Sequence, residues 1–399
     1  MGVLLAVALS QRGFTPVGIG AIITVSLVGD FFGTYLIALY ADRWGRRRTL
    51  AVLAGLMALT GAAFGLVSNY PILLVAGFFG TLGTSASETA PFLPIEQAVV
   101  PQIVPAERRT TVFARYNLVA SFAGALGALA AGLPDVLTHA GLVVTSGIRL
   151  MFGMYVLAGL LVVLLALRLS PAVEVHDADA YSPSEPTTAT RRRLTPAMGR
   201  SRHIILRLAA LFSVDSLAGG LVAQSLLALY FHLRFGIPLG PLGVLFFGAN
   251  TLSALSFLAA VPLARRFGLL DTMVFTHLPS NVLLALVAFM PTFPLAGGML
   301  LLRQLLSQMD VPTRQAYTMA LVAPGERTAA ASVTSLARSA GSAVSPVISG
   351  VLLQGGLITL GLPLVIAGVT KGVYDLSLWR IFRKVPLEEG RPTDTKAPG

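Results

Sequence analysis

Six ionisable residues stand within long apolar runs of the sequence: Asp30, Glu88, Asp215, Arg303, Asp310 and Arg338. A charge held in hydrocarbon costs at least about 2.5 to 3.5 kcal/mol, so such groups face a cavity, a partner or a ligand. Carboxylates there can carry protons, and guanidinium groups can take carboxylate or phosphate. Glu88, on one helical face with Thr81 and Ser85, is the first candidate for proton carriage, against a purely structural hydrogen-bonding role. Arg303, Ser307, Asp310 and Arg314 are spaced by four, three and four, which places them on one helical stripe, with Asp310 and Arg314 able to pair. Arg338, Ser342, Ser345 and Ser349 repeat the pattern further on. Asp30 and Asp215 are weaker candidates. A stripe of Ser213, Ser216, Gly220 and Gln224 turns away from Asp215, which therefore looks to another helix. His277, beside Ser280 and Asn281, reads as a satisfied interior histidine rather than a proton relay.

The segments that must position these groups are set by composition. Of 399 residues, 55% are hydrophobic and only 12% charged, more apolar surface than a water-soluble core can hide. Apolar spans of helix-crossing length fall at roughly 17–40, 49–68, 72–95, 111–133, 148–168, 206–231, 241–263, 273–290, 293–321, 329–353 and 357–379. Strands of alternating polarity are missing, so helices are the way to satisfy backbone groups in lipid. Ahead of these eleven spans, Gly2 to Ser10 is apolar but half the needed length, and reads as the tail of a first helix whose start lies upstream of Met1. The expected fold class is thus all-α membrane, with eleven complete spans plus a remnant.

The net charge of +11 describes topology rather than a nucleic-acid surface. Alternating the spans gathers Arg43, Arg46 to Arg48, Arg108, Arg109, Arg191 to Arg193, Arg265, Arg266, Arg327 and Arg380 to Lys384 on one side. Little more than Arg12, Arg149 and Arg234 falls on the other. The rich side is expected to be cytoplasmic, with the C-terminus there and the protein multi-pass in a plasma (inner) membrane. With no cysteine there are no disulfides or thiolate metal sites. No phosphate loop, selectivity loop or cluster of metal-ligand histidines occurs, which argues against an ATP-driven pump, a channel and an enzyme.

The chain also repeats itself. At a shift of 223, Gly13 falls on Gly236, Gly20 on Gly243, Arg43 on Arg266, Gly45 on Gly268 and Thr49 on Thr272. At 219, Pro105, Glu107 and Arg108 fall on Pro324, Glu326 and Arg327. The implied organisation is an N-terminal half over 1–169, a polar linker over 170–205, a C-terminal half over 206–382 and a polar tail over 383–399. The same repeat makes Glu96 and Arg314 counterparts of opposite sign, expected at the cytoplasmic ends of their helices as a gate pair.

The loop Ala41-Asp42-Arg43-Trp44-Gly45-Arg46-Arg47-Arg48 resembles the cytoplasmic signature of the major facilitator superfamily, departing from it at Ala38, where a glycine is usual. The resemblance implies two pseudo-symmetric six-helix halves around a midplane site and alternating access. It also implies that Asp42, Arg43, Gly45 and Arg46 latch the cytoplasmic side. The family's fourth-helix arginine is replaced by Gly77. A small-residue pattern typical of antiporters is faint at Gly124, Gly127 and Gly132 and fuller at Gly341, Ser345, Pro346, Ser349 and Gly350. The function expected first is proton-coupled export of small amphipathic or apolar compounds, without cofactor, as a monomer in the bilayer with no nucleic-acid partner. Proton-coupled import of an anionic metabolite, for which Arg303, Arg314 and Arg338 would suit, is the alternative; an inactive or receptor-like paralogue is a third.

Overall fold

A computed structural model gives the architecture; it describes residues 2–80, 106–141, 143–174, 201–322, 326–356 and 359–385, with single positions at 92, 95 and 99. Side chains at 38, 39, 42, 43, 106–115, 117, 118, 144, 172 and 327–329 are not described. Among the described residues the only regular structure is helical, and eight helices are long and apolar enough to cross a membrane.

The N-terminal half holds α1 (Leu4–Gln11), α2 (Pro16–Trp44), α3 (Arg46–Leu66), α4 (Tyr70–Phe79), α5 (Ala106–Ala130), α6 (Leu133–His139) and α7 (Val144–Arg168). The C-terminal half holds α8 (Arg202–Leu221), α9 (Gln224–Phe235), α10 (Leu239–Phe267), α11 (Leu269–Val287), α12 (Phe293–Ser307), α13 (Asp310–Leu321), α14 (Arg327–Gln354) and α15 (Leu362–Phe382). Two spans expected to be continuous are broken. The span at 206–231 parts after Gly219 and Gly220, poor helix formers, into α8 and α9. The span at 293–321 parts at Gln308 and Met309, because Pro312 lacks the N–H that an uninterrupted helix would bond back to Gln308, and is tolerated only in the first turn of a new helix.

The sequence repeat is visible in the backbone. Gly45 (φ 91°) joins α2 to α3, and its counterpart Gly268 (φ 87°) joins α10 to α11; Gly13 (φ 85°) and Gly236 (φ 65°) match likewise. A residue with Cβ is strained in that region, which is why both halves keep glycine at the same corners.

The halves touch through α2 against α14 and α5 and α6 against α10. Gly20 lies so close to the Pro346 carbonyl that an added Cβ would sit 2.3 Å from it, and Gly350 meets the Pro16 carbonyl at 2.4 Å in the same way. Val347 N–H donates to Thr24 Oγ1 (3.1 Å), and Gly240 N–H to the Asp135 carboxylate. All of these contacts lie at the end of the bundle away from the arginine-rich loops. There α1 also packs, with Leu4 to Leu9 fully buried against α9. The small residues of α14 thus serve helix packing: Gly341 faces Ser213 of α8, and Ser345 Oγ donates to Leu217 O (2.6 Å).

Candidate functional site

Charged side chains buried inside the bundle are concentrated, among the described residues, in the C-terminal half. Asp215, on α8, is 3% exposed and is held by cations from three other helices. Lys371 Nζ of α15 donates to its Oδ1 (2.6 Å), while Arg338 Nη1 of α14 (3.3 Å) and Arg314 Nη1 of α13 (3.5 Å) donate to its Oδ2. Arg314 is shared: the same nitrogen bonds Asp310 Oδ2 at 2.7 Å, one turn earlier on α13. Asp310 is the first residue of that helix, so the break at Gln308 sets its carboxylate in the electropositive first turn. The Arg314 guanidinium also lies 5.7 Å from the Phe212 ring centre.

Arg303 differs from its neighbours. It is buried, its Nη1 donates to Gln304 Oε1 (2.9 Å), which also accepts from Ser307 Oγ (2.8 Å), and its Nε has no hydrogen-bond partner among the described residues. No carboxylate among them lies within salt-bridge distance of it either. Arg338 is the most open of the four cations, with its side chain 32% exposed. Around it α14 presents Ser332, Ser335, Ser339 and Ser342 as exposed or half-exposed groups, at helical spacing. Ser345 and Ser349, expected beside Arg338 on a polar face, are instead fully buried, because the face they occupy packs on neighbouring helices.

A second cluster joins α11 to α15. His277 Nδ1 is 2.9 Å from Asp375 Oδ1, and Asn281 Nδ2 donates to Asp375 Oδ2 (2.8 Å). Lys371 and Asp375 lie one turn apart on α15, so this cluster continues into the first. Neither residue is among the sequence candidates. Their signal is a Lys and an Asp four apart inside an apolar run, but the nearby Arg380 to Lys384 draws the whole segment toward a membrane border. His277 is satisfied, as expected, but by a carboxylate rather than by Ser280 and Asn281 alone.

The remaining candidates divide. Glu88 and Glu96 lie outside the described residues, as do the side chains of Asp42 and Arg43. Arg314, expected from sequence as a gate partner of Glu96, is occupied within its own half by Asp310 and Asp215, because the helix break brings both carboxylates to it. Asp30 borders an apolar groove of about 610 Å³ between α2, α3 and α4, with Phe32, Leu36, Trp44, Arg48 and Val52.

At the end of the signature loop, the start of α3 makes contacts inside the N-terminal half. Glu174, just beyond α7, accepts from the N–H groups of Arg46 (2.7 Å) and Arg47 (3.2 Å) and so caps α3, while Arg47 Nη2 donates to Leu167 O at the end of α7 (2.5 Å). Replacing Glu174 by glutamine is expected to lower stability by about 1 kcal/mol, read as a lower melting temperature in detergent, because a charged cap on a helix start becomes neutral.

Two helical halves related by an internal repeat and packed together at one end of the bundle, with eight described helices long and apolar enough to cross a membrane and a cluster of buried charges in the C-terminal half, define a multi-pass integral membrane transporter rather than an enzyme. The chain belongs to the Major Facilitator Superfamily, whose family model matches residues 1–346. It is 28% identical over 379 residues, 90% of this chain and 85% of the other, to the uncharacterized membrane protein YJR124C of Saccharomyces cerevisiae. Among solved structures it is similar to the nucleoside transporter NupG in a D323A mutant form, with TM-score 0.72, 13% identity and 96% of each chain covered. A D-xylose-proton symporter superposes with TM-score 0.72 at 14% identity, covering 98% of this chain and 95% of the other. A bacterial homologue of the human lysosomal transporter Spinster, inward-facing and unoccupied, superposes with TM-score 0.67 at 15% identity, covering 96% and 93%. At these identities the likeness is one of fold.

Proposed function

We propose that the chain is a proton-coupled secondary transporter whose central site, in the C-terminal half, takes a small organic anion bearing a carboxylate or phosphate. The observation that carries this reading is the charge imbalance around Asp215: Arg314, Arg338 and Lys371 pair with only two carboxylates, Asp215 and Asp310, and a further buried cation, Arg303, stands on the same helical stripe without a salt bridge to either. Asp375 adds a third anion but faces His277 and Asn281. A surplus of buried positive charge is costly unless a ligand anion shares it. Arg303, with no described carboxylate within salt-bridge distance, and Arg338, the most open, are the groups placed to provide that contact. This weighs against the amphipathic-compound export expected first from sequence, for which the apolar groove beside Asp30 is the supporting feature.

Arg303 supplies the test. Substituting glutamine removes a buried cation that forms no salt bridge with a described carboxylate, so Arg303→Gln is expected to melt higher than wild type in detergent, by about 1 to 3 kcal/mol of added stability. The same variant is expected to lose any stabilisation that wild type gains from succinate, benzoate or glycerol 3-phosphate, since a ligand stabilises only the protein that binds it. A wild type stabilised by a lipophilic cation such as tetraphenylphosphonium, and by none of the three anions, would return the reading to amphipathic cargo.

A further inference from the structure

We propose that His277 and Asp375 form the proton-carrying site of the transport cycle, and that Lys371 passes the state of this pair to Asp215 and so to the anion-binding arginines. The inference rests on the reading of the central site as an anion site, and adds to it the place where the proton sits and the reason the two ligands travel together.

Asp375 is fully buried and His277 nearly so, with 2.9 Å between Nδ1 and Oδ1. A histidine and a carboxylate at that separation can hold one proton between them: on the imidazole as an ion pair, or on the carboxyl oxygen as a neutral hydrogen bond. Asn281 Nδ2 fixes the far carboxylate oxygen, so gain or loss of the proton leaves the carboxylate in place. The titratable and polar groups around the pair come from several elements. Lys371 and Tyr374 lie on α15, the Tyr374 ring 6.4 Å from that of His277; Asn281 and Ser280 lie on α11; Asp215 on α8, Asp310 and Arg314 on α13 and Arg338 on α14 complete the surroundings. Among the described residues, Lys371 is the one cation within a turn of Asp375 that also touches Asp215.

The coupling follows from charge. With the proton absent, the pair carries one negative charge one helical turn from Lys371, whose ammonium is then divided between Asp375 and Asp215. Asp215 in turn holds Arg338 and Arg314. With the proton bound, the pair is neutral overall and Lys371 belongs to Asp215 alone. Asp215 then needs its guanidinium partners less, and Arg338, whose side chain is part exposed, is released to meet an anion. Proton and anion therefore favour each other's binding, which is the condition for moving together, and by reciprocity the bound anion holds the proton equally well.

Two readouts test this in purified, reconstituted full-length protein, comparing wild type with Asp375→Asn, an isosteric stand-in for the protonated carboxyl, and His277→Gln, which serves if the first variant misfolds. In infrared difference spectra taken between about pH 5 and 8 without any cargo, wild type is expected to show a titrating carboxyl or imidazole band that both variants lack. In proteoliposomes, a one-unit pH gradient is expected to drive accumulation of succinate, benzoate or glycerol 3-phosphate by about tenfold in wild type and not at all in the variants. Exchange of labelled for unlabelled anion, which needs no net proton movement, should persist within about twofold in Asp375→Asn, whose neutral amide holds the pair in its proton-bound charge state. A structural role for the pair would reduce exchange and accumulation together. Retention of the band in both folded variants, or parallel loss of exchange and accumulation, overturns the proposal. A wild type that shows the band yet moves none of the three anions would sink the anion reading while leaving the proton placed on this pair.

Discussion

Asp215→Asn is expected to be the most damaging single change in the C-terminal half, destabilising the protein by about 3 to 5 kcal/mol and abolishing transport. The carboxylate is the shared partner of Lys371, Arg314 and Arg338, so the amide takes from Lys371 its 2.6 Å ion pair and from Arg338 its acid, while Arg314 retains Asp310. Removing one member of a buried ion pair costs more than removing both, because the survivor is stranded in low dielectric. The double variant Asp215→Asn with Lys371→Met is therefore expected to regain most of the lost stability in thermal melts. It should not regain proton-driven transport, since Lys371 links the two clusters. A double variant no more stable than the single one would show that Lys371 is not the principal partner of Asp215, despite its 2.6 Å contact.

Gly20→Val and Gly350→Val are expected to arrest the cycle without unfolding the protein. Each glycine lies where α2 crosses α14, and the opposing backbone carbonyl stands only 2.3 and 2.4 Å from where a Cβ would be. Backbone at that distance cannot yield as a flexible side chain would, so the closed arrangement of this end is penalised while states in which the halves part there are not. A bias of about 2.7 kcal/mol against closure corresponds to about 100-fold in population, and transport should fall by a comparable factor. The chain has no cysteine, so Thr24→Cys, placed at this crossing where Thr24 accepts from Val347, gives a single label site. Its modification by an impermeant maleimide is expected to rise in both glycine variants. Unchanged labelling together with unchanged transport would show that this end need not close.

Much of this architecture is legible because two periodicities run through the sequence. Hydropathy sets the spans, and the 223-residue repeat sets the halves, down to the paired corners at Gly45 and Gly268. The stripe of Arg303, Ser307, Asp310 and Arg314 is readable for the same reason, since three- and four-residue spacing survives the local break at Gln308. What helical spacing cannot supply is which helices meet. That Asp215 is shared by α13, α14 and α15 depends on packing between segments up to 156 residues apart. The role of Lys371 is hidden in this way, as is the partner of His277. The serines of α14 show the limit from the other side: spacing places Arg338, Ser342, Ser345 and Ser349 together, but close packing through Gly341 and Gly350 buries Ser345 and Ser349 and leaves Ser332, Ser335 and Ser339 open.

The most direct test of proton-driven anion transport through the C-terminal site is uptake of labelled succinate, benzoate and glycerol 3-phosphate into proteoliposomes carrying an inside-alkaline pH gradient, with wild type beside Arg303→Gln and tetraphenylphosphonium as the comparison cargo. Wild type is expected to take up at least one anion in a gradient-dependent manner, reduced about tenfold or more in Arg303→Gln, although that variant is the more stable protein. Movement of the cation alone, or anion uptake indifferent to Arg303, would contradict anion transport through this site.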